Sequence, residues 1–249
     1  MVYMKNFYSV IIGSELLNGR RVDRHFDFLN KELLQRGWEQ KGSFVIKDEP
    51  DFIESVFNLV KSDPSSVMFS FGGIGATPDD YTRKCAANSF TNGNMCIHQE
   101  AKDAIEKRFG QDMYPHRINM ANLPVGAKLL FNPVTNIPGF YLEDRFFFVP
   151  GFPSMAHAMV IEALDKLYTQ NTIKHRLSLK AYCSENDIID TMNKIPSSID
   201  CSSLPQIDGE SPAVVLSLAS YDLNEAKNYF ELFTSFLEQS NIQYELKDK

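Results

Sequence analysis

A cluster of glycines directly after a short apolar segment constrains the fold of this chain more than any other feature of its sequence. The segment 67–71, Val-Met-Phe-Ser-Phe, has the length and the β-propensity of one buried strand. It is followed by Gly72, Gly73 and Gly75, which tolerate positive φ and let a ligand approach the backbone closely. This order predicts that the chain leaves a strand and turns sharply at a ligand site.

The residues after the glycines indicate the start of a helix. Thr77 suits the N-cap, Pro78 the first helical position, and Asp80 the place of an acidic partner at N3. At a helix N-terminus the unpaired N–H groups and the helix dipole favour a bound anion. We therefore predict an anion-binding site between the strand and a helix that continues to about residue 90.

Two common phosphate-binding motifs do not fit these glycines. A P-loop ends in Gly-Lys-Ser or Gly-Lys-Thr, which the chain lacks, and the Rossmann fingerprint needs a glycine where Pro78 stands. Residues 72–82 instead resemble the signature Gly-Gly-(Ile/Thr)-Gly-x-(Thr)-x-(Asp/Arg)-Asp-x-Thr of the MoaB/Mog molybdopterin-binding domain family. The proline and the paired aspartates at 78–80 are most similar to its CinA-like (competence/damage-inducible) branch.

Apolar segments and amphipathic helices alternate through the first two thirds of the chain. Strands are predicted at 7–12, 43–46 and 67–71, with helices between them at 23–36 and 51–61. This alternation is typical of an α/β fold with a doubly wound, mostly parallel sheet, whose ligands bind at the carboxyl ends of the strands. The family resemblance implies the three-layer sheet of the MoaB/Mog type.

The pattern changes after about residue 171, which divides the chain into two predicted domains. Residues 1–170 form the molybdopterin-binding-like α/β domain, and residues 171–249 form a small α+β subdomain. The elements predicted in the second are strands at 174–182, 202–206 and 213–220 and helices at 185–194 and 222–240. Full-length relatives of the CinA-like type carry a further amidohydrolase domain. Because the sequence ends before it, we expect no deamidase activity.

Composition and charge narrow the class of partner. The net charge of −7 and the scattered Lys and Arg residues argue against nucleic-acid binding, which needs clustered positive charge. The four cysteines include no Cys-x-x-Cys pair, so neither a zinc site nor a disulfide framework is indicated. No apolar stretch approaches the ~18 residues of a membrane span, and the first residues lack the apolar core of a signal peptide. We expect a cytoplasmic protein that binds a small phosphorylated molecule and, because relatives self-associate, forms a homo-oligomer.

The resemblance extends to four further segments. Residues 13–19 are similar to Gly-Asp/Asn-Glu-Ile-Leu-x-Gly, with Ser14 in place of the common aspartate. Two others, 117–124 and 132–139, resemble Arg-x-x-x-Ala-x-x-Pro and Asn-Pro-x-x-x-Ala-Pro-Gly. The last resembles Leu-Pro-Gly-Val-Pro-Ser-Glu, with Met155 in place of the glutamate. The ligand-binding residues implied by all of these motifs are Gly13, Ser14, Glu15, Gly19, Gly72, Gly73, Ile74, Gly75, Thr77, Asp80, Thr82, Arg117, Asn132, Pro138, Gly139, Gly151, Pro153 and Ser154.

Two further side chains are predicted at helix starts. Ser154 is expected to cap a helix that runs to about residue 167. His25, near the start of the helix 23–36, is expected to be solvated or to act as a cap, although family members often carry an asparagine there.

Three aspartates are the candidates for chemistry. Asp48 matches the first acid of the family's Val-x-Asp-Asp segment, although an acid before Pro50 at a helix start is also ordinary capping chemistry. Asp79 and Asp80 are adjacent on the predicted helix and cannot both point at one ligand. We expect Asp80 to bind the ligand, in competition with its capping role, and Asp79 to make a secondary metal contact.

Two functions are consistent with these residues. CinA-like first domains are associated with cleavage of the pyrophosphate bond of nucleotides such as ADP-ribose, which implies Asp80 and Asp48 as catalytic residues. Asp48, Asp79 and Asp80 would then hold a divalent ion, Mg²⁺, Mn²⁺, Co²⁺ or Ni²⁺. In the alternative, the chain binds a molybdopterin-type phosphorylated pterin without turnover, which the absence of acids at Ser14 and Met155 favours. The sequence does not decide between the two.

Overall fold

The computed structural model describes residues 5–169, 171–208 and 211–247. Two compact units make up the chain, Met1–Asn171 and Thr172–Lys249. No helix among the described residues is both long enough and apolar enough to cross a membrane.

The first unit is built on one mixed sheet. The strands of this unit are β1 Asn6–Ile12, β2 Gln40–Ile46, β3 Ser66–Phe71, β4 Met95–Ile97, β5 Asn122–Pro124, β6 Lys128–Leu130, β7 Gly139–Leu142 and β8 Phe146–Val149. Six of them form a sheet in the order β2-β1-β3-β8-β7-β6. The pairs among β2, β1, β3 and β8 are parallel, and β7 pairs antiparallel with both β8 and β6. The predicted doubly wound, mostly parallel sheet is confirmed.

Helices cover both faces of this sheet. They are α1 Ser14–Leu17, α2 His25–Gln35, α3 Pro50–Lys61, α4 Thr82–Thr91, α5 Gln99–Phe109 and α6 Pro153–Leu167, with 3₁₀ turns at Gly110–Met113 and Arg117–Ala121. One apolar cluster joins the sheet to α3, α4 and α5, and a second joins it to α2 and α6. Successive residues of a strand alternate between the clusters, as Val10 and Ile11 do. Burial on both faces explains why β1, β3 and β8 are almost entirely apolar in sequence.

The predicted helix start at Thr77 is wrong. Helix α4 begins at Thr82, and residues 77–80 form a turn in which the Asp80 amide donates to the Thr77 carbonyl at 3.0 Å. Only one of the two contacts of a capping box is present, the bond from the Thr77 amide to Asp80 Oδ2 at 2.7 Å, and the Thr77 hydroxyl donates to the same oxygen at 2.5 Å. They close a turn instead of a helix. The first helical residue is Thr82, four residues after the predicted Pro78, because the Thr82 amide bonds back to the Gly73 carbonyl at 3.0 Å.

Three other expectations about secondary structure need correction. Ser154 does not cap α6, since that helix begins at Pro153 and its N-cap residue, Phe152, makes no side-chain cap. The resemblance of residues 117–124 to a helical segment of the family implies a helix there, but Arg117 lies in a 3₁₀ turn. Strand β7 was not predicted, because Gly139 follows a proline-rich segment that indicates a loop.

The second unit is a four-stranded antiparallel sheet with two helices. The elements are β9 His175–Ala181, α7 Glu185–Met192, β10 Asp200–Asp208, β11 Ser211–Ser220, α8 Leu223–Gln239 and β12 Tyr244–Lys247. The strands lie in the order β10-β11-β9-β12. A capping box between Ser184 and Asp187 starts α7, and the Asp222 side chain caps α8. Leu179, Leu216 and other apolar side chains of the sheet pack on α8.

Candidate ligand-binding site

The backbones of three neighbouring strand ends meet at the carboxyl edge of the first sheet. Gly13 follows β1, Gly72 follows β3, and Gly151 comes shortly after β8. A Cβ placed on Gly72, whose φ is +102°, would lie 2.5 Å from the Ile12 carbonyl oxygen, and one on Gly151 would lie 3.4 Å from the Gly72 Cα. Glycine at position 72 is therefore required by the close approach of two strand ends. A cavity of about 610 Å³ opens beside them.

Helix α4 holds the carbonyl groups of the glycine loop, which we define as residues 72–76. The Gly72 carbonyl accepts a hydrogen bond from the buried Thr82 hydroxyl at 2.9 Å, and the Gly73 carbonyl accepts from the Thr82 amide at 3.0 Å. The next two carbonyls, those of Ile74 and Gly75, both accept from Nη1 of Arg83. The first two residues of α4 thus bind four successive carbonyls of the loop.

Unlike its carbonyl groups, the amide groups of the glycine loop are not bonded to α4. The Gly72 amide donates to the Val149 carbonyl at 2.9 Å. The next four amides, those of residues 73–76, have no acceptor among the described residues, and all four residues line the cavity. Main-chain N–H groups without a partner at the edge of a cavity are suited to bind an anion. These amides belong to a loop fixed to α4 and not to a helix start at Thr77, which is where the sequence placed the anion-binding donors.

Asp80 lies directly against the glycine loop. A Cβ on Gly75 would be 2.6 Å from Asp80 Oδ2, the same oxygen that accepts both bonds from Thr77. Asp80 and the exposed Asp79 both line the cavity. An anion on the free amides would therefore lie close to negative charge, and its binding would be favoured by a cation shared with Asp80.

Asp48 reaches the cavity from the neighbouring strand end. Its Oδ2 accepts from the Ser14 amide at 2.7 Å and from the Ser14 hydroxyl at 2.9 Å. Ser14 is not part of the cavity wall, so its observed role is to position Asp48. The serine that replaces the common aspartate thus supplies a donor to Asp48 where an aspartate would face it with a second negative charge.

A buried histidine supports the loop after β8. The ring of His25 is 4% exposed, stacks on Phe71 at 4.4 Å, and lies with Nε2 3.3 Å from the Gly151 carbonyl oxygen. Burial lowers the pKa of His25 to about 4, so the ring is neutral at pH 7. Arg21 donates to the same carbonyl at 2.9 Å. His25 is therefore a core residue that positions Gly151, in contrast to the solvated or capping role expected from the sequence.

The opposite wall of the cavity was not predicted from the sequence. It contains Phe109, Met120 and Ile137, which are apolar, together with Arg108, whose Nη1 donates to the Thr135 carbonyl at 3.1 Å. These residues come from the end of α5, a 3₁₀ turn and the segment before β7. Nothing in their local sequence indicates a shared site, because only the tertiary fold brings these separate segments together.

Most of the predicted ligand-binding and metal residues meet at this cavity. Those in its wall are Gly13, Glu15, Asp48, Gly72, Gly73, Ile74, Gly75, Thr77, Asp79, Asp80, Asn132, Pro138 and Gly151. Those outside the wall are Ser14, Gly19, Thr82, Arg117, Gly139, Pro153 and Ser154. Thr82 nevertheless holds the loop from behind. Asn132 is buried and bonds the Val134 and Thr135 amides, so its side chain folds its own loop.

The chain alone does not provide a complete metal site within the described ranges. No group of three or more His, Cys, Asp or Glu side chains there is arranged to bind a metal ion. Asp48 and Asp80 are the carboxylates best placed in the cavity, and each has one oxygen, Oδ2, occupied by two donors. This donor set fits an ion such as Mg²⁺, which proteins commonly hold with one or two carboxylates plus the phosphates of a ligand.

Comparison with known families identifies the first unit. The family described as "Probable molybdopterin binding domain" matches residues 9–169, a range that contains the whole wall of the cavity. A crystal structure of the protein CinA, described as of unknown function, from Thermoplasma acidophilum is 29% identical. It covers 66% of this chain and 98% of that chain, with a TM-score of 0.59.

Curated relatives give the same result. A protein of Caldivirga maquilingensis is 33% identical over 168 residues, which are 64% of this chain and 64% of that protein. A CinA-like protein of Trichormus variabilis is 32% identical over 156 residues, which are 60% of this chain and 37% of that protein. The chain thus spans less than two thirds of the length of either relative. It belongs to the molybdopterin-binding domain family, with CinA-like proteins among its relatives.

Proposed function

We propose that the cavity at the ends of β1, β3 and β8 binds a phosphorylated small molecule through the free amides of residues 73–76. The observation that carries this proposal concerns the glycine loop: its carbonyls are bonded to α4, while four successive amides have no partner in the part of the chain that the structure describes. Backbone amides supply a fixed set of donors that suits phosphate oxygens and needs no basic side chain. This explains how an acidic protein would bind an anion.

The rest of the ligand would lie on the apolar wall. Phe109, Met120 and Ile137 offer a surface for a planar ring such as a nucleobase or a pterin. A volume of about 610 Å³ lies within the range of small-molecule sites and exceeds what one inorganic phosphate needs. Molybdopterin-type pterins and nucleotides both combine such a ring with a phosphate, so both are candidate ligands.

Hydrolysis of a pyrophosphate bond, as in ADP-ribose, is the second candidate function. It is favoured by the presence of two carboxylates, Asp48 and Asp80, in the wall of one cavity. These residues would hold a divalent cation together with the phosphate oxygens of the ligand, and the cation would supply Lewis-acid polarisation of the phosphate. The free amides would orient the diphosphate.

Binding is tested by titrating the purified protein with ADP-ribose and with inorganic pyrophosphate in a calorimeter, with Mg²⁺ present. In Gly75→Ala the new methyl group displaces Asp80 from the loop, so we expect affinity to fall by about tenfold or more. Gly42→Ala is the matched control, because Gly42, like Gly75, has no positive φ and its added methyl group would also lie close to a side chain, 3.1 Å from Tyr8 Cδ1, but outside the cavity. If the wild-type protein binds neither probe, the proposal is wrong.

Turnover is tested separately by following AMP release from ADP-ribose with Mg²⁺, Mn²⁺, Co²⁺ or Ni²⁺. We expect Asp80→Ala and Asp48→Asn to abolish any turnover, while Asp27→Asn, at an exposed position on α2, leaves it unchanged. Binding without AMP release would favour the pterin-binding alternative. AMP release that persists in Asp80→Ala would contradict the role assigned to Asp80.

A further inference from the structure

A second cavity lies beside the glycine loop but shares little with the first. This groove of about 740 Å³ is lined by Thr77 and Pro78 on one side and by Tyr114, His116 and Arg117 on the other, with Arg83 also in its wall. Of the residues in the groove wall, Ala76 and Thr77 also line the first cavity. The family motifs include Thr77 and Arg117, but the proposed ligand site uses neither Arg83 nor Arg117.

Arg83 is the unusual residue of this groove. Its side chain is 8% exposed, yet it forms no ion pair with any carboxylate in the described part of the chain. Only Nη1 is engaged, by the Ile74 and Gly75 carbonyls, while Nε and Nη2 have no acceptor there. Buried charges in proteins are normally paired, because an isolated buried charge is strongly unfavourable.

The surroundings of Arg83 leave this charge largely uncompensated. Burial lowers the pKa of Arg83, and the charge of Asp80 opposes that effect. Asp80 does not line the groove, and its Oδ2 is occupied by Thr77. The one acid in the groove wall is Asp112, which is exposed.

Arg117 adds a second cation to the same wall. Its guanidinium lies 4.5 Å from the centre of the Phe109 ring, and Nη1 donates to the Asp112 carbonyl at 2.8 Å. The ring and the carbonyl fix the position of this side chain, and no carboxylate within the described ranges neutralises its charge. Two guanidinium groups with unused donors thus face one cavity.

We infer that this groove is a second anion site, which binds a small oxyanion, phosphate or carboxylate, through Arg83 and Arg117. Guanidinium groups bind both kinds of oxyanion with paired, charge-assisted hydrogen bonds. The site adjoins the amides of residues 73–76, since Ala76 lines both cavities, and Arg83 connects the two because the same side chain holds the Ile74 and Gly75 carbonyls. By reciprocity, an anion that changes the position of Arg83 changes the affinity of the loop for its ligand.

The test is a titration with inorganic phosphate, and in a second arm with acetate, followed by NMR of ¹⁵N-labelled protein. The signals observed are the Nε–H groups of Arg83 and Arg117 and the amides of residues 73–76. We expect phosphate to shift the arginine signals, and the affinity reported by Arg83 to fall about tenfold or more in Arg117→Ala. Arg117 is exposed, so this variant is expected to fold. Arg20→Ala, at another exposed arginine, is the matched control and should retain the wild-type response.

The outcomes separate this inference from the proposed function. Shifts confined to the amides of residues 73–76 would overturn the second site and leave the first intact. Shifts at the two arginines alone would support the second site and count against the first. An unchanged Arg83 response in Arg117→Ala would also overturn the inference. Equal responses to phosphate and acetate would assign the site to carboxylates as well, and a response to phosphate alone would restrict it to phosphate.

Discussion

Replacing Gly73 with alanine tests how the glycine loop is held. Gly73 has a φ of +67°, and a Cβ there would lie 2.3 Å from the Thr82 hydroxyl oxygen. That hydroxyl is fully buried and bonded to the Gly72 carbonyl at 2.9 Å, so it cannot move without losing its partner. The left-handed backbone costs an L-residue about 1–2 kcal/mol, and losing the Thr82 bond costs about 1 kcal/mol more. We therefore expect Gly73→Ala to lower the free energy of unfolding by about 2–3 kcal/mol.

A double-mutant cycle separates the two contributions. In Thr82→Ala the nearest obstructing atom is gone, so adding Gly73→Ala should cost only the backbone term of about 1–2 kcal/mol. Gly126→Ala provides a control, because Gly126 has a φ of +81° with no atom within 4 Å of the added methyl group. Urea-induced unfolding followed by circular dichroism gives each value. The reasoning is refuted if Gly73→Ala and Gly126→Ala are equally destabilising, or if Gly73→Ala costs as much in the Thr82→Ala background as in the wild type.

Three further predictions concern single residues. His25 is buried with a pKa of about 4, whereas in the unfolded chain a histidine binds its proton near pH 6.5, so the free energy of unfolding should decrease by up to about 3 kcal/mol as the pH falls from 6.5 to 4. Urea unfolding of His25→Asn across that range should show a smaller decrease, and an equal decrease would disprove the assignment. Ser14→Asp places a carboxylate beside Asp48, so the melting temperature measured without metal should be lower than that of the wild type. Adding Mg²⁺ should raise the melting temperature of the variant by more than that of the wild type, and an identical increase would argue against an ion at Asp48. Asn132→Ala leaves the part-buried Val134 and Thr135 amides without their acceptor. Thermal unfolding should report a loss of about 1–2 kcal/mol in the free energy of unfolding, whereas a loss below about 0.5 kcal/mol would show that water replaces the side chain.

The fold was largely predictable because its signals are local. The apolar strands β1 and β3 and the glycines after them identify a doubly wound sheet and place its ligand edge. The start of α4 was not predictable in the same way. Thr77 and Asp80 have the residue types of a capping box and form one of its two contacts, from the Thr77 amide to the Asp80 carboxylate. The position of the helix is set instead by bonds from Thr82 to the glycine loop, which a local pattern does not contain.

The candidate site was predicted only in part, because only some of its residues belong to motifs that can be recognised in the local sequence. Residues in recognisable motifs, such as Asp48 and Gly73, do lie at one cavity. Phe109 and Met120 belong to segments with no motif, and only the tertiary fold brings them to the same wall. Arg83 was missed because an arginine on a helix is usually exposed, and only the structure reveals that it is buried beneath the loop.

In the proposed site the glycine loop binds its ligand through main-chain amides, so side chains at these positions should be free to vary. Exchange of the side chain at Ile74 or Ala76 leaves the number of N–H donors unchanged, so many residues are compatible with recognition there. Proline is the exception, because it alone removes the donor itself. A survey of tolerated substitutions at these two positions should therefore show broad acceptance of side chains and strong exclusion of a single amino acid.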